Sequence, residues 1–396
     1  MSSHPRIRRL AVSGAAVGAT TAAASTLGWV AGAAYFARKV LIPDHRKPDD
    51  QQLLEIGPDR IVLGLSADSS VPGHYGLWFD QGAGHLRLGH VLDVDADARR
   101  VTRALLAVDT GAPLAGPARW NTYYWWASPE ICLGLDTEHT LIRGELGPLP
   151  AWVVPAAGGE RRRWAILVHG RGARREEAVR AIPTLRAAGW SVLVPGYRND
   201  EGVASGPDGR YNLGLSEWRD VESAVRYAVH AGAHEVVLGG WSMGGAIVLQ
   251  FLDRSRLAGV VSRVFLDAPV VDWNDVLAFH GRINHVPAPV ANLSRTLMGR
   301  RWGKRLVGVH DVLDVARTDW VARAGELRHP ILLIHSADDD FVPVGPSRAL
   351  AAARPDLVTY EEFTSARHCA EWNVDQARWE AALAHFLRDG GDGLSA

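Results

Sequence analysis

This chain contains few cysteines and has almost no net charge. Among its 396 residues only Cys132 and Cys369 are cysteines, and they form neither a CxxC pair nor a zinc-site spacing. We therefore predict two independent thiols, which could pair only if the fold brought them together. The formal net charge is −1, so no broad electrostatic attraction to nucleic acid is expected and no nucleic-acid partner is predicted.

Motifs for metals and nucleotide cofactors are also missing. No set of histidine, cysteine and carboxylate residues has the spacing of a metal site, and there is no P-loop and no GxGxxG after a predicted strand. We therefore predict neither a metal nor a cofactor. The composition, 47% hydrophobic and 22% charged, is that of a globular protein, and the length indicates one large domain with a smaller one.

Charge is absent from residues 10–37, an Ala/Gly/Thr-rich stretch. A helix of about 20 residues crosses a bilayer, so we predict that residues 1–41 are a hydrophobic N-terminal segment forming a single-pass membrane anchor. A cleaved signal peptide with a small-residue site at residues 31–33, and hence secretion, is the alternative. Basic residues flank the stretch on both sides, so the positive-inside rule does not decide the orientation. Gly28 and Gly32 match GxxxG, a motif of helix packing.

The next part of the chain divides into a linker and a β-rich region. Residues 42–56 are polar with two prolines and are predicted to be a linker. Residues 57–158 contain short apolar runs broken by Gly, Pro and Asp, which predicts a small β-rich domain. Its aromatic run, RWNTYYWWAS from Arg119 to Ser128, either packs internally or against a neighbour, or faces a substrate.

From residue 159 to 390 predicted strands alternate with predicted helices. This pattern indicates an α/β class domain with a mostly parallel, doubly wound sheet and helices on both faces. Residues 272–328, between two predicted strands, are too long for a simple crossover and contain apolar helical patches. We predict that they form a small inserted cap.

The most specific local motif is G-x-S-x-G at Gly240–Gly244, with a predicted strand before it and a helix after it. A sharp turn there lifts Ser242 to the carboxyl edge of the sheet, where backbones crowd and small residues such as Gly240 and Gly244 are needed. The helix N-terminus also favours a developing negative charge. Ser242 is therefore the predicted nucleophile.

A serine nucleophile needs a base, and the base needs an orienting acid. His368 lies in a loop after the predicted strand LVTYEEF, whereas His385 falls inside the last amphipathic helix. We predict His368 as the base. The strand ILLIHS is followed by Asp338, Asp339 and Asp340, which are candidate acids.

The strand–loop sequence ILVHGRG supplies candidates for oxyanion stabilisation. His169 and Gly170 support this loop, and the backbone N–H of Arg171 is the predicted loop donor. The second predicted donor is the N–H of Met243, the residue after the nucleophile.

In this order, HGRG, GWSMGG, HSADDDFVP and RHC resemble the α/β-hydrolase superfamily over about residues 160–390. Within it, the elbow and the preceding β-rich segment are similar to the prolyl-oligopeptidase-like and acyl-hydrolase branches. The resemblance implies an α/β-hydrolase fold and the chain order Ser, acid, His. Two departures stand out: Ser336 replaces the usual Gly after the strand histidine, and Arg367 replaces the Gly before the base.

The acid is predicted to be Asp339, because the family pattern H-x-x-x-D-x-x-V-P falls on it. Neighbouring side chains of an extended segment also point in opposite directions, so Asp338 and Asp340 should then be exposed. Asp267, after an earlier strand, is a rival acid.

Together these features predict a membrane-anchored serine hydrolase that cleaves an ester, or a peptide or amide, through a Ser242–His368–Asp339 triad. The predicted partner is a small acyl or peptide substrate. An acyltransferase using the same triad and a catalytically silent binding module are the alternatives.

Overall fold

The computed structural model describes residues 28–43 and 47–388. This part of the chain contains a closed antiparallel barrel and an eight-stranded, mostly parallel sheet with helices on both faces. The fold class is therefore α/β, and the predicted β-rich domain ahead of a doubly wound sheet is confirmed.

The barrel closes in the order β1-β2-β5-β4-β3-β6. Its apolar side chains alternate inward and form a separate core. The strands are β1 (Gln51–Ile56), β2 (Arg60–Gly64), β3 (Tyr75–Phe79), β4 (Gly84–Asp95), β5 (Arg100–Thr110) and β6 (Gly116–Asn121).

The large sheet has the order β14-β13-β12-β11-β9-β10-β8-β7, antiparallel where β8 pairs with β7 and β10 and parallel elsewhere. Its strands are β7 (Glu138–Arg143), β8 (Pro148–Val154), β9 (Arg163–Val168), β10 (Ser191–Pro195), β11 (Glu235–Trp241), β12 (Val261–Asp267), β13 (Ile331–Ser336) and β14 (Val358–Phe363).

Helices cover both faces of this sheet and the edge where the parallel strands end. They are α1 (residues 28–41), α2 (Pro129–Leu133), α3 (Ile182–Ala187), α4 (Trp218–His230), α5 (Met243–Arg254), α6 (Trp273–Ile283), α7 (Ala288–Met298), α8 (Lys304–Val307), α9 (Gly345–Ala353), α10 (Glu371–Val374) and α11 (Gln376–Arg388). Helices α6, α7 and α8 lie between β12 and β13, within the predicted cap at 272–328.

The structure moves both boundaries of the predicted β-rich domain. The barrel begins with β1, inside the predicted linker 42–56, and ends at Asn121. Strands β7 and β8 fall within the predicted span 57–158, yet β8 pairs with β10 of the large sheet. Short apolar strands look alike in sequence, because their alternation does not say which sheet they join.

The N-terminal part of the chain differs from the predicted anchor where it is described. Residues 1–27 lie outside the described residues. Helix α1, which contains the end of the uncharged stretch, packs on the large domain with Ala33, Ala37 and Leu41 fully buried in its core. In the described ranges we find no helix with the length and apolar character needed to cross a membrane.

The two cysteines are not paired with each other. Cys132 lies in α2 and Cys369 is buried in the loop that follows β14, and both are free thiols. The prediction of two independent thiols is confirmed.

Candidate active site

Ser242 stands on a sharp turn between β11 and α5. Its backbone has φ +51° and ψ −118°, a conformation that costs a non-glycine residue about 1–3 kcal/mol and persists only where the surroundings fix it. The turn is held by two main-chain bonds: Ser242 N–H donates to the Asp267 carbonyl at 3.0 Å, and the Ser242 carbonyl accepts from Val270 N–H at 3.0 Å.

Glycine is required around this turn because the backbones touch. A Cβ on Gly244 would lie 2.1 Å from the Val168 carbonyl oxygen, and one on Gly240 would lie 2.7 Å from the Gly244 backbone. Any side chain at either position would push α5 away from the sheet. Both glycines therefore have the supporting role that the sequence predicts for them.

Three predicted residues come together at the carboxyl edge of the sheet. His368 Nε2 lies 2.9 Å from Ser242 Oγ, and His368 Nδ1 lies 2.7 Å from Asp339 Oδ2. In this geometry the serine hydroxyl donates to Nε2 and the Nδ1 N–H donates to the carboxylate. The arrangement suits proton transfer from serine to imidazole.

The Asp339 carboxylate is fully enclosed and well supplied with donors. Its Oδ1 accepts the backbone N–H groups of Phe341 and Val342, each at 2.8 Å, and its Oδ2 also lies 3.1 Å from His335 Nε2. Burial raises the pKa of this carboxyl, but the charge of His368 and the hydrogen bonds from His335 and His368 outweigh it. The pKa of Asp339 is therefore held well below its usual range, and the group is an anion at neutral pH.

The same pair shifts the base in the opposite direction. Burial lowers the pKa of the His368 imidazole, but the charge and hydrogen bond of Asp339 are stronger and raise the pKa above its ordinary value of 6.5. An imidazolium formed during proton transfer is therefore stabilised by the buried carboxylate.

The other aspartates have different surroundings. Asp338 and Asp340 are exposed, as the alternation predicts, and neither contacts His368: Asp338 accepts from Ser365 N–H at 2.7 Å and Asp340 pairs with Arg367.

Asp267, the rival acid, lies too deep to orient the base. It is fully buried and accepts the indole N–H groups of Trp241 and Trp379, at 3.1 and 2.8 Å. Burial raises the pKa of Glu371 well above its usual range, and the neighbouring Asp267 raises it further. Asp267 therefore lies beside the buried Glu371 carboxyl, whose Oε1 accepts from Ser336 N–H at 2.9 Å.

The predicted oxyanion loop follows β9. Gly170 N–H donates to Glu177 Oε2 at 2.7 Å and Gly172 N–H to the Tyr211 hydroxyl at 3.1 Å, which fixes the loop on either side of Arg171. Met243 is the first residue of α5, where backbone N–H groups have no partner within the helix. The side chain of His169 is paired with Asp200, with 2.9 Å between His169 Nε2 and Asp200 Oδ2.

Two cavities meet at Ser242, and a third adjoins one of them. One of about 380 Å³ lies towards the barrel and is lined by charged and aromatic groups. A second of about 540 Å³ lies between α1 and the cap and is mostly apolar. Ser242, Arg171 and Phe341 line both. A third, of about 460 Å³, extends the barrel-side space through Trp120 and Tyr123 of the aromatic run.

The aromatic run serves two purposes. Trp120 and Tyr123 line the barrel-side space, as its substrate-facing alternative requires. Tyr124 instead packs on Trp372, with ring centroids 5.5 Å apart.

The barrel contacts the loop that carries the base, which sequence reasoning missed. Ala366 and Ala370 are buried in the barrel core on either side of His368. Arg367 pairs with Asp68 of the barrel and with Asp340, so the residue that departs from the usual glycine joins the two domains. Arg367 and Asp68 are 299 positions apart in the sequence, so no local motif indicates that they are in contact.

Within residues 28–43 and 47–388, no three His, Cys, Asp or Glu residues are grouped so that they could hold a metal ion.

Two sequence models match parts of this chain. The sequence model of the Alpha/beta hydrolase family matches residues 165–387, more than half of the chain. A second model, of a domain of unknown function (DUF8805), matches residues 52–121, which is the barrel.

Individual relatives are distant. The uncharacterized protein YqkD of Bacillus subtilis (strain 168) is 23% identical over 203 residues, 50% of this chain and 62% of that protein. The chain thus spans less than two thirds of that relative's length. Two crystal forms of the esterase Pf2001 of Pyrococcus furiosus share 17% identity over 66% of this chain, with TM-scores of 0.51 and 0.50, and cover 94% and 96% of the esterase. These likenesses show the fold, and the match over residues 165–387 establishes that the chain belongs to the alpha/beta hydrolase family.

Proposed function

We propose that this protein is a serine hydrolase that cleaves an acyl bond through Ser242, His368 and Asp339. The observation that carries the proposal is the unbroken path from Ser242 Oγ through His368 to Asp339, with heavy-atom distances of 2.9 and 2.7 Å, at the point where the cavities meet.

The chemistry follows from that path. Ser242 Oγ attacks the acyl carbonyl while His368 Nε2 takes its proton. The bond to the leaving group then breaks, and His368 returns the proton to the leaving oxygen or nitrogen. Water, deprotonated by the same nitrogen, releases the acid from the acyl-enzyme. Asp339 keeps Nδ1 protonated and stabilises the imidazolium in both halves.

The negative oxygen of each tetrahedral intermediate needs donors. The backbone N–H groups of Met243 and Arg171 are the proposed pair, and such a donor typically contributes about 3–4 kcal/mol to transition-state stabilisation. The bonds from Gly170 to Glu177 and from Gly172 to Tyr211 support this choice, since they keep the loop in one conformation. We favour an ester substrate over a peptide or amide.

Membrane attachment through the segment before residue 28 remains part of the proposal, with secretion after cleavage as the alternative. The packing of α1 favours the uncleaved form. Cleavage after residues 31–33 would cut α1 in its middle and remove Gly32 from a cavity wall.

Covalent labelling tests the proposal directly. A fluorophosphonate should react with Ser242 in the folded protein, and Ser242→Ala should abolish both labelling and the hydrolysis of p-nitrophenyl esters. Ser262→Ala is the matched control, because Ser262 lies at the opposite end of β12 from the site.

Two results would contradict the proposal. One is a folded wild-type protein whose Ser242 stays unlabelled. The other is an ester-hydrolysis rate that Ser242→Ala leaves unchanged. The first would favour a silent binding module, and the second would assign the hydrolysis to a group other than Ser242.

A further inference from the structure

The cavity between α1 and the cap has walls of a different chemistry from the barrel-side cavity. Helix α1 contributes Gly32, Phe36 and Val40, while the cap and its neighbouring turns contribute Trp273, Leu277 and Val290 among others. The barrel-side cavity is lined instead by groups such as Lys47, Asp68, Glu177 and Arg367. An apolar group and a polar group therefore each have a separate space beside Ser242.

Helix α1 is fixed firmly enough to act as a wall. Ala33, Ala37 and Leu41 form one fully buried stripe along it, with the spacing of an amphipathic helix. At its C-terminal end the Arg171 guanidinium donates to the carbonyls of Val40 and Ile42, both at 2.9 Å.

The position of the base decides which part of a substrate enters which cavity. His368 must pass its proton to the leaving group, and His368 lines the barrel-side cavity. The leaving group should therefore depart on the polar side. The acyl chain, on the other side of the carbonyl carbon, is directed towards α1 and the cap.

We propose that the α1–cap cavity binds the apolar chain of the acyl group, and that α1 is a substrate-binding element. The substrate class is then an ester of a medium- or long-chain apolar acid with a polar alcohol. This inference rests on the proposed serine hydrolase activity and specifies its substrate.

Gly32 offers a way to fill the cavity without disturbing the triad. A Cβ at Gly32 would lie 3.8 Å from Val290 Cγ1, across the gap between α1 and α7, whereas one at Gly28 of the same helix would meet nothing within 4 Å. Gly32→Phe should therefore block the cavity. Gly28→Phe is the matched control, because it places the same side chain one turn earlier on α1, at an exposed position.

The experiment uses the full chain and measures kcat/KM for p-nitrophenyl esters from acetyl to dodecanoyl, together with the rate at which methyl and octyl fluorophosphonates label Ser242. Wild type and Gly28→Phe should both prefer longer chains. Gly32→Phe should lose about fourfold in kcat/KM for each methylene that no longer enters the cavity, so at least about tenfold for an octanoyl ester, and the loss should be smallest for acetyl esters.

A second series holds the octanoyl group constant and lengthens an alkyl alcohol. Gly32→Phe should leave that profile unchanged, because the alcohol lies on the other side of Ser242. An altered alcohol profile with an unaltered acyl profile would reverse the orientation and overturn the inference.

The remaining outcomes separate the two proposals. Labelling by both probes with no preference for chain length, or with equal profiles in Gly32→Phe and wild type, overturns the cavity assignment alone. Absence of labelling by either probe overturns the serine hydrolase and the inference with it.

Discussion

At the scale of single residues, three consecutive aspartates differ in burial although they are the same residue type in one short segment. The side chain of Asp339 is fully enclosed with two histidines and two backbone donors, while Asp338 and Asp340 remain in solvent. Only a carboxylate that is buried and held in place can orient an imidazole, so the neighbours carry charge without sharing the proposed role.

Replacing Asp339 tests that difference. Asp339→Asn removes the acceptor for the Nδ1 proton, and we expect kcat for ester hydrolysis to fall by roughly 10⁴. The Asp339 charge raises the pKa of His368, and the base must be neutral to act. Activity in wild type should therefore be lost as pH falls through a value above 6.5, and in the variant this acid limb should move to lower pH. A pH profile of kcat/KM measures both.

Asp338→Asn and Asp340→Asn are the controls. Neither side chain contacts His368, and the exposed ion pair of Asp340 contributes at most about 1 kcal/mol. Both variants should therefore keep their activity within a few-fold of wild type and leave the acid limb in place. An acid limb that moves in Asp340→Asn but not in Asp339→Asn would assign the acid to Asp340.

At the scale of secondary-structure elements, α1 is the part whose role changes most between sequence and structure. Its residues 28–37 are Ala-rich and uncharged, which suits a bilayer, but the buried stripe of Ala33, Ala37 and Leu41 suits a protein surface equally well. The sequence shows that one face of the helix is apolar, but it does not show whether lipid or protein covers that face.

Arg171 should hold the end of this helix. Arg171→Ala removes two hydrogen bonds from a charged donor to the Val40 and Ile42 carbonyls, a loss of roughly 1–3 kcal/mol. Cleavage by trypsin after the exposed residues Arg38 and Lys39 should then accelerate about tenfold, and the preference for long acyl chains should weaken. Limited proteolysis followed by mass spectrometry measures the first effect.

Arg174→Ala is the matched control for this prediction, because Arg174 pairs with Glu201 on an exposed surface. Equal cleavage rates in Arg171→Ala and wild type would show that the buried stripe alone holds α1.

At the scale of the whole molecule, the barrel supports the loop that carries His368. Ala366 and Ala370 enter the barrel core on either side of the base, and the Asn373 side chain donates to the carbonyls of His74 and Thr122, at 2.6 and 2.9 Å. The proposed base is therefore positioned by a domain that begins some 300 residues earlier, and the two domains form one functional unit.

Gly73→Ala tests this docking. A Cβ at Gly73 would lie 2.2 Å from the Asn373 carbonyl oxygen, so the barrel must shift away from the loop. We expect a loss of about 2 kcal/mol or more in the free energy of unfolding and a fall in kcat of about tenfold, because a small misplacement of a catalytic group is costly. Chemical denaturation and ester kinetics measure the two.

Gly116→Ala controls for the backbone strain. Gly73 and Gly116 both have positive φ, +103° and +149°, but a Cβ on Gly116 would meet nothing within 4 Å. Equal losses of kcat in both variants would attribute the effect to strain and leave the barrel without a role in positioning His368.

The sequence by itself determined the local chemistry. A strand, a sharp glycine-lined turn and a helix indicated the position of Ser242, and these signals involve residues close together in the chain, so short-range sterics contain them. The alternation of an extended segment shows that three consecutive aspartates cannot all point inwards. The choice of Asp339 among them came from the resemblance to the α/β-hydrolase pattern H-x-x-x-D-x-x-V-P.

Only the tertiary structure decided what those residues face. The sheet that β7 and β8 join, the burial of Glu371 beside Asp267, and the docking of α1 all depend on partners distant in sequence. Hydrophobic periodicity reports that a face is buried, but the identity of the opposing surface is set by packing between elements, which no local pattern encodes.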